Sequence, residues 1–154
     1  MPNLTVTTKE NIILQGKQQG SSRTMTFPNI VDVFNRIYSF KQQTLTSLYT
    51  THNDTVSGAI FDDGSIKYVR ITNLGGHPLA INVLGENTVA FAYEIQPNQN
   101  LYLYNHSLAM EADDSDAITG SELQTLEDID EVKAYCYRGA GRVEVFVAST
   151  EAKK

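Results

Sequence analysis

Between Ile66 and Ala112 the sequence alternates in a way that strongly limits the folds available to it. β-Branched or aromatic residues recur at every second position in the segments IKYVRITNL, LAINVL, TVAFAYEIQ and NLYLYNH, and Gly-, Pro- and Asn-containing turns separate these segments. Alternation with period two buries one face of a strand and exposes the other. Several short strands at this spacing are typical of a sandwich or a barrel. We therefore predict four or five β-strands in this run and an all-β fold.

The flanking sequence extends the same pattern. Short alternating pieces precede the central run, and the segment 30–40 fits a short helix or a strand, with strand favoured after Asn35. A Thr-rich strand is predicted over 43–51. After the central run, the residues before and after the turn Arg138–Gly141 predict a closing hairpin. Counting these pieces gives nine to eleven strands in an antiparallel two-sheet β-sandwich.

Length and charge limit the possible function classes. At 154 residues the chain is long enough for one domain with its own core, so we assign residues 1–154 to a single domain. A formal net charge of −6 and scattered Lys and Arg argue against a nucleic-acid partner, because phosphate binding needs a surplus of cations. No segment has the length of a transmembrane helix, and the N-terminus does not resemble a signal peptide. We expect no membrane partner and synthesis in a reducing compartment.

Acidic residues concentrate in a connection over residues 111–131, which we predict to be a loop with a short helix near Ser121–Leu126. The run Asp113, Asp114, Ser115, Asp116 offers hard oxygen ligands, but it lacks the Gly and the closing Glu of an EF-hand loop. A solvated acidic loop is the simplest interpretation. Docking on a basic surface comes next, and calcium binding third.

Candidate catalytic groups are isolated from one another along the chain. His52, His77 and His106 each lie in or beside a predicted turn, without a second His or a Cys at metal-ligand spacing. Cys136 is the one cysteine, and we predict that it is buried and inert. Gly139-Ala140-Gly141 lies between two predicted strands, so a hairpin turn explains it better than a phosphate loop. We predict a protein that is not an enzyme and has no cofactor or metal.

Tyrosines form the remaining candidate surface. Tyr93, Tyr102 and Tyr104 lie in consecutive predicted strands, and Tyr102 and Tyr104 should share a face. Ordinary cross-strand packing is the favoured interpretation, and an exposed aromatic patch for carbohydrate or protein is the alternative.

The sequence resembles the small β-sandwich virion proteins of tailed bacteriophages, particularly capsid decoration (cement) proteins and related head or tail accessory proteins. Three stretches carry the resemblance: the opening LTVT with ENIILQG, the central KYVRITNL with LAINV, and the closing strands from Val132 to Val147. The resemblance implies a jelly-roll-like sandwich, a symmetric oligomer that is often a trimer, and stabilisation of a protein shell. It implies no catalytic residues.

From these observations we expect a non-enzymatic virion structural protein that binds copies of itself and the major capsid protein or another virion protein. The expected contact regions are an N-terminal segment, with a possible arm over 1–9, and the acidic loop; the tail 150–154 should be frayed. Their candidate interface residues are Leu4, Val6, Ile12, Asp113, Asp114 and Asp116. Alternatives are a tail, neck or fibre-base component, a carbohydrate-binding module and, last, a hydrolase with converging carboxylates.

Overall fold

The computed structural model describes residues 1–51, 59–62, 64–86, 90–108 and 126–153. These residues form 14 β-strands, ten of which span at least four residues. The strands are β1 (Leu4–Lys9), β2 (Ile13–Leu14), β3 (Lys17–Gln18), β4 (Ser22–Phe27), β5 (Asp32–Phe40), β6 (Thr46–Thr50), β7 (Ala59–Ile60), β8 (Ile66–Asn73), β9 (Leu79–Gly85), β10 (Ala90–Ile95), β11 (Asn100–Leu103), β12 (Ser107–Leu108), β13 (Glu127–Tyr135) and β14 (Gly141–Ser149).

Two main sheets pack face to face. The first, the four-stranded sheet, has the order β11-β8-β14-β5, and all its neighbours are antiparallel. The second has the order β10-β9-β13-β6-β7, with β12 added to β13, and its four long strands are also antiparallel. Only the short β7 pairs in parallel among these described strands. The predicted all-β antiparallel sandwich is confirmed, while its jelly-roll character stays a prediction.

The core lies between the two sheets and follows from alternation along each strand. On β14, the side chains of Val143, Val145 and Val147 are fully buried, as their spacing predicts. Aromatic side chains from the opposite sheet fill the middle, where Tyr49 and Phe61 meet edge to face at 6.1 Å. The buried thiol of Cys136 belongs to this cluster, so its predicted burial is confirmed.

The predicted closing hairpin is wrong. β13 pairs with β9 on one side and β6 on the other, while β14 pairs with β5 and β8 in the opposite sheet. The chain from 136 to 140 therefore crosses between sheets instead of turning back within one. Its glycines serve close packing, because a side chain at Gly139 would overlap the ring of His77 and one at Gly141 would overlap the ring of Phe40.

Strand boundaries differ from prediction at two further places. β13 begins at Glu127, so the last five residues assigned to the acidic loop belong to a strand. β6 begins at Thr46 rather than at residue 43, because Gln43 has a φ of 56°, which a strand does not accommodate. The short helix predicted near 121–126 falls outside the described residues except for Leu126, which has no regular structure.

The C-terminal residues are held where fraying was expected. The ammonium of Lys153 lies 3.1 Å from the carboxylate of Asp32, and the Lys153 amide donates to the same oxygen. These bonds hold the pKa of Asp32 below its usual value, with the backbone hydrogen bond as the largest cause. The amide of Thr150 also donates to the carbonyl of Ser65. Thr150 and Lys153 are thus bonded to the sandwich, and fraying of the tail 150–154 stays a prediction.

Candidate functional site

The most distinctive feature outside the sandwich is a long β-hairpin, residues 4–27, which we call the hairpin arm. β1 pairs with β4 from Leu4↔Phe27 onward, and β2 pairs with β3 at Leu14↔Lys17 in the same register. Backbone bonds bridge the gap between these two ladders, from the Glu10 amide to Ser21 at 2.8 Å and from the Gln19 amide to Ile12 at 2.9 Å. The hairpin arm is therefore one continuous element.

A tight turn closes the arm. Gln15 and Gly16 form its two-residue loop with φ values of 52° and 75°. Positive φ at both positions is what a type I′ turn requires, and this turn matches the twist of paired strands. The local sequence thus fixes the end of the arm without help from the rest of the fold.

The base of the arm covers part of the outer face of the four-stranded sheet, over β8 and β14. Alternate residues of β1 are half-buried, and Leu4, Val6 and Phe27 pack on a small cluster that contains Tyr68 and Ala148. The rings of Phe27 and Tyr68 lie 5.7 Å apart. The base therefore forms a third layer, with a hydrophobic cluster separate from the main core.

This packing revises the predicted contact residues. Residues 4–9 of the predicted arm 1–9 are paired with β4 of the same chain. Leu4 and Val6 contact the chain's own sheet, because that sheet offers an apolar face that their alternation matches. Ile12 lies further out, beyond this packing, and is 48% exposed. The other three predicted residues, Asp113, Asp114 and Asp116, lie outside the described residues.

The tip of the arm exposes a run of aliphatic side chains. Ile12, Ile13 and Leu14 are 48%, 69% and 54% exposed, and we call these three residues the aliphatic tip. Single exposed aliphatic residues are common on protein surfaces, whereas three adjacent ones at the end of the arm are a candidate contact site. The opposing strand offers only Lys17, Gln18 and Gln19, all exposed, so it cannot cover them.

The hairpin arm and the rest of the chain carry net charges of opposite sign. Residues 4–27 contain three cations, Lys9, Lys17 and Arg23, and one anion, Glu10, in a chain whose net charge is −6. The arm is therefore basic and the remainder strongly acidic. Lys17 lies at the tip opposite Leu14, whereas Lys9 and Arg23 lie on β1 and β4, nearer the base.

One glycine sets the shape of the arm. A side chain at Gly20 would overlap the carbonyl oxygen of Glu10 on the facing strand. The two strands approach so closely there that no Cβ atom fits. Gly20 therefore controls how the tip is presented relative to the base.

The tyrosine surface lies beside the base of the arm. Tyr102 and Tyr104 share a face, as predicted, with parallel rings 6.0 Å apart, whereas Tyr93 lies in the other sheet. Tyr104 also packs on Tyr68 at 5.9 Å. Cross-strand packing thus accounts for part of this surface, but Tyr102 and Tyr104 each keep 39% of their area exposed.

A shallow groove of about 280 Å³ runs between β1 and this tyrosine surface. Its floor includes Arg70, whose guanidinium contacts Glu144 at 3.1 Å and the ring of Phe146 at 5.4 Å. The Nε atom of Arg70 is buried without a hydrogen-bond partner. The groove therefore presents aromatic and charged groups together.

The histidines do not assemble a catalytic centre in the described residues. His77 lies exposed in a bend, as predicted, whereas His106 is buried with its Nε2 3.2 Å from the Tyr49 hydroxyl. Burial raises the pKa of Tyr49, so this hydroxyl stays protonated. His52 lies outside the described residues. The described part of the chain contains no group of three His, Cys, Asp or Glu side chains that could hold a metal.

Of the residues at the tip, the sequence analysis named Ile12 as a candidate and did not name Ile13, Leu14 or Gly20. A signal for the tip was present, because three adjacent aliphatic residues cannot all be buried by one face of a strand.

No helix among the described residues is both long and apolar enough to cross a bilayer. Compared with protein-family models, with curated proteins and with solved structures, the chain matches none.

Proposed function

We propose that this chain is a non-enzymatic structural protein of a virion, a capsid decoration or cement protein that stabilises a shell through subunit contacts. The observation that carries the proposal is the aliphatic tip, presented on an arm that the sandwich supports but does not cover. A rigid body with a projecting apolar tip suits a protein whose work is to hold neighbours together.

Burial of the tip would supply much of the contact energy. Each aliphatic side chain that passes from water into an apolar pocket contributes about 1.5–3 kcal/mol before ordering costs. The cations Lys9, Lys17 and Arg23 would guide the arm toward an acidic rim and set the orientation of docking. The partner expected from these features is a major capsid protein or another virion protein with an apolar groove bordered by carboxylates.

A tail, neck or fibre-base component would use the same device. The choice between head and tail depends on which virion surface carries the groove, and the arm fits either place. Fractionation distinguishes them, because head and tail assemblies sediment separately.

The proposal is tested by locating the chain in particles. Lysates of the source culture are separated on a density gradient and probed with an antibody against the chain. We expect the chain to sediment with virion-sized particles and to be visible on them by immunogold electron microscopy. A chain found only at the top of the gradient, in lysates that contain intact particles, would overturn the proposal.

Removing the aliphatic tip should abolish docking while the fold survives. We expect the triple variant Ile12→Ser, Ile13→Ser, Leu14→Ser to bind stripped particles at least about tenfold more weakly, because three buried aliphatic side chains are lost. Co-sedimentation of purified variant and particles measures this. The matched control is Gln18→Ser with Gln19→Ser, on the opposing strand of the same tip, and it should bind normally. Equal binding by the triple variant and this control would contradict the role of the tip.

A second candidate function is glycan binding at the tyrosine surface. Parallel, partly exposed rings beside a groove lined by Arg70 are the kind of platform on which a sugar ring stacks. We expect any glycan detected on an array to lose about tenfold or more in affinity on Tyr102→Ala, with the exposed Tyr137→Ala as control. Binding that survives Tyr102→Ala would place the sugar elsewhere and remove this candidate.

A further inference from the structure

A second exposed surface lies at the edge of the four-stranded sheet opposite the tyrosines. β5 spans nine residues, pairs with β14 along its whole length, and forms the edge of its sheet. In the part of the chain that the structure describes, no strand borders its other side. A strand edge of this length offers a row of backbone donors and acceptors to another chain.

The side chains of β5 make this edge apolar on one face. Val33 and Ile37 point to the outer face and are 47% and 48% exposed, with Asn35 between them. Natural edge strands usually carry several charges or a proline that discourages pairing. The edge here has one central cation, Arg36, and one terminal anion, Asp32.

We propose that β5 pairs antiparallel with β5 of a second copy of this chain, about a two-fold axis at Asn35. In this register Val33 of one copy lies opposite Ile37 of the other, and the reverse pair forms by symmetry. Two exposed β-branched pairs are then buried together, which is the favourable cross-strand combination. The two four-stranded sheets join into one continuous sheet.

Shape also fits this register. On the other face, Arg36 of one copy lies opposite Phe34 of the second copy, with the second copy's Asp32 on one diagonal and its Arg36 on the other. The pattern is self-complementary, as an isologous two-fold contact requires. Phe34 is buried and Arg36 is exposed, with its guanidinium 5.2 Å from the ring centre of Tyr38 in the same chain. This pairing yields a dimer and not the trimer that the sequence resemblance implies.

A single introduced cysteine tests the register. The native Cys136 is fully buried, so Asn35→Cys adds the one accessible thiol. Residues at position 35 face each other across the axis, and we expect a disulfide-linked dimer under mild oxidation. Ser39→Cys, also exposed on β5, is the matched control: its two copies would be about 27 Å apart and should stay unlinked. Equal cross-linking of the two variants would overturn the register.

Light scattering across a dilution series tests the interface itself. We expect a dimer for the full chain and at least about tenfold weaker association for Ile37→Lys, because a charged side chain replaces the apolar partner of Val33 in both symmetric pairs. Leu45→Lys replaces an equally exposed aliphatic residue away from β5 and should remain dimeric. A monomer at all concentrations, or a trimer insensitive to Ile37→Lys, would overturn the inference. The triple variant of the aliphatic tip should remain dimeric. Loss of the dimer and loss of particle binding can therefore be told apart.

Discussion

Tyr49→Ala is expected to lower the free energy of unfolding by about 3–5 kcal/mol, as truncation of a buried aromatic ring does. Tyr49 is fully buried on β6, and its ring packs edge to face with Phe61. The ring also lies 5.8 Å from that of His106. Truncation would leave a cavity where the two sheets meet, and the surrounding strands are too constrained by pairing to close it. Urea unfolding followed by far-ultraviolet circular dichroism measures the change.

A conservative variant separates packing from hydrogen bonding. Tyr49→Phe keeps the ring and removes the hydroxyl that lies 3.2 Å from His106 Nε2. We expect a loss of about 1 kcal/mol, the ordinary contribution of one hydrogen bond. If Tyr49→Ala does not fold, Tyr49→Phe still tests the site. A loss for Tyr49→Ala no larger than that for Tyr49→Phe would contradict the central role of the ring.

Alternation along single strands was readable from the sequence because it is a local property. Val143, Val145 and Val147 predict one buried face of β14, and the structure buries all three. The same rule placed Tyr102 and Tyr104 on one face. Burial of one face is decided by the spacing of apolar residues, and the sequence displays that spacing directly.

The pairing of the strands could not be predicted from the sequence. Alternation with period two shows which face of a strand is buried, but it does not show which strands lie beside it. The sequence around Arg138–Gly141 has the form of a hairpin turn, yet β13 and β14 lie in different sheets. Both edges of β13 are already occupied by β9 and β6. The pairing of β13 and β14 depends on strands that are distant in the sequence, and the residues around the turn do not indicate which strands those are.

The candidate site shows the same division. The sequence predicts Ile12 as a contact residue, which stays a prediction, and Gly16 indicates the turn that closes the arm. Whether Leu4 and Val6 are free depended on the outer face of a sheet formed by residues far along the chain, including Tyr68 and Ala148. Burial of Leu4 and Val6 therefore depends on tertiary packing, which the local sequence pattern does not predict.

Gly20→Ala should disable the arm while the sandwich remains folded. The added methyl group would overlap the carbonyl oxygen of Glu10, so the facing strands must separate or twist at this point. The backbone bond from Glu10 to Ser21 lies beside the overlap and should break. We expect faster amide exchange at Glu10 and Gln19, and particle binding at least about tenfold weaker, because the aliphatic tip changes its position relative to the base.

Global stability provides the internal comparison for this variant. The main core shares no residue with the arm, so the melting temperature should fall by no more than about 4 °C, the effect of roughly 1 kcal/mol in a chain of this size. Gly76→Ala is the matched control, since a side chain there meets no atom within 4 Å. It should bind particles normally. If the Glu10 amide exchanges at the same rate in Gly20→Ala as in the native chain, the two strands tolerate a side chain at position 20. The position of the aliphatic tip would then depend on the base of the arm alone.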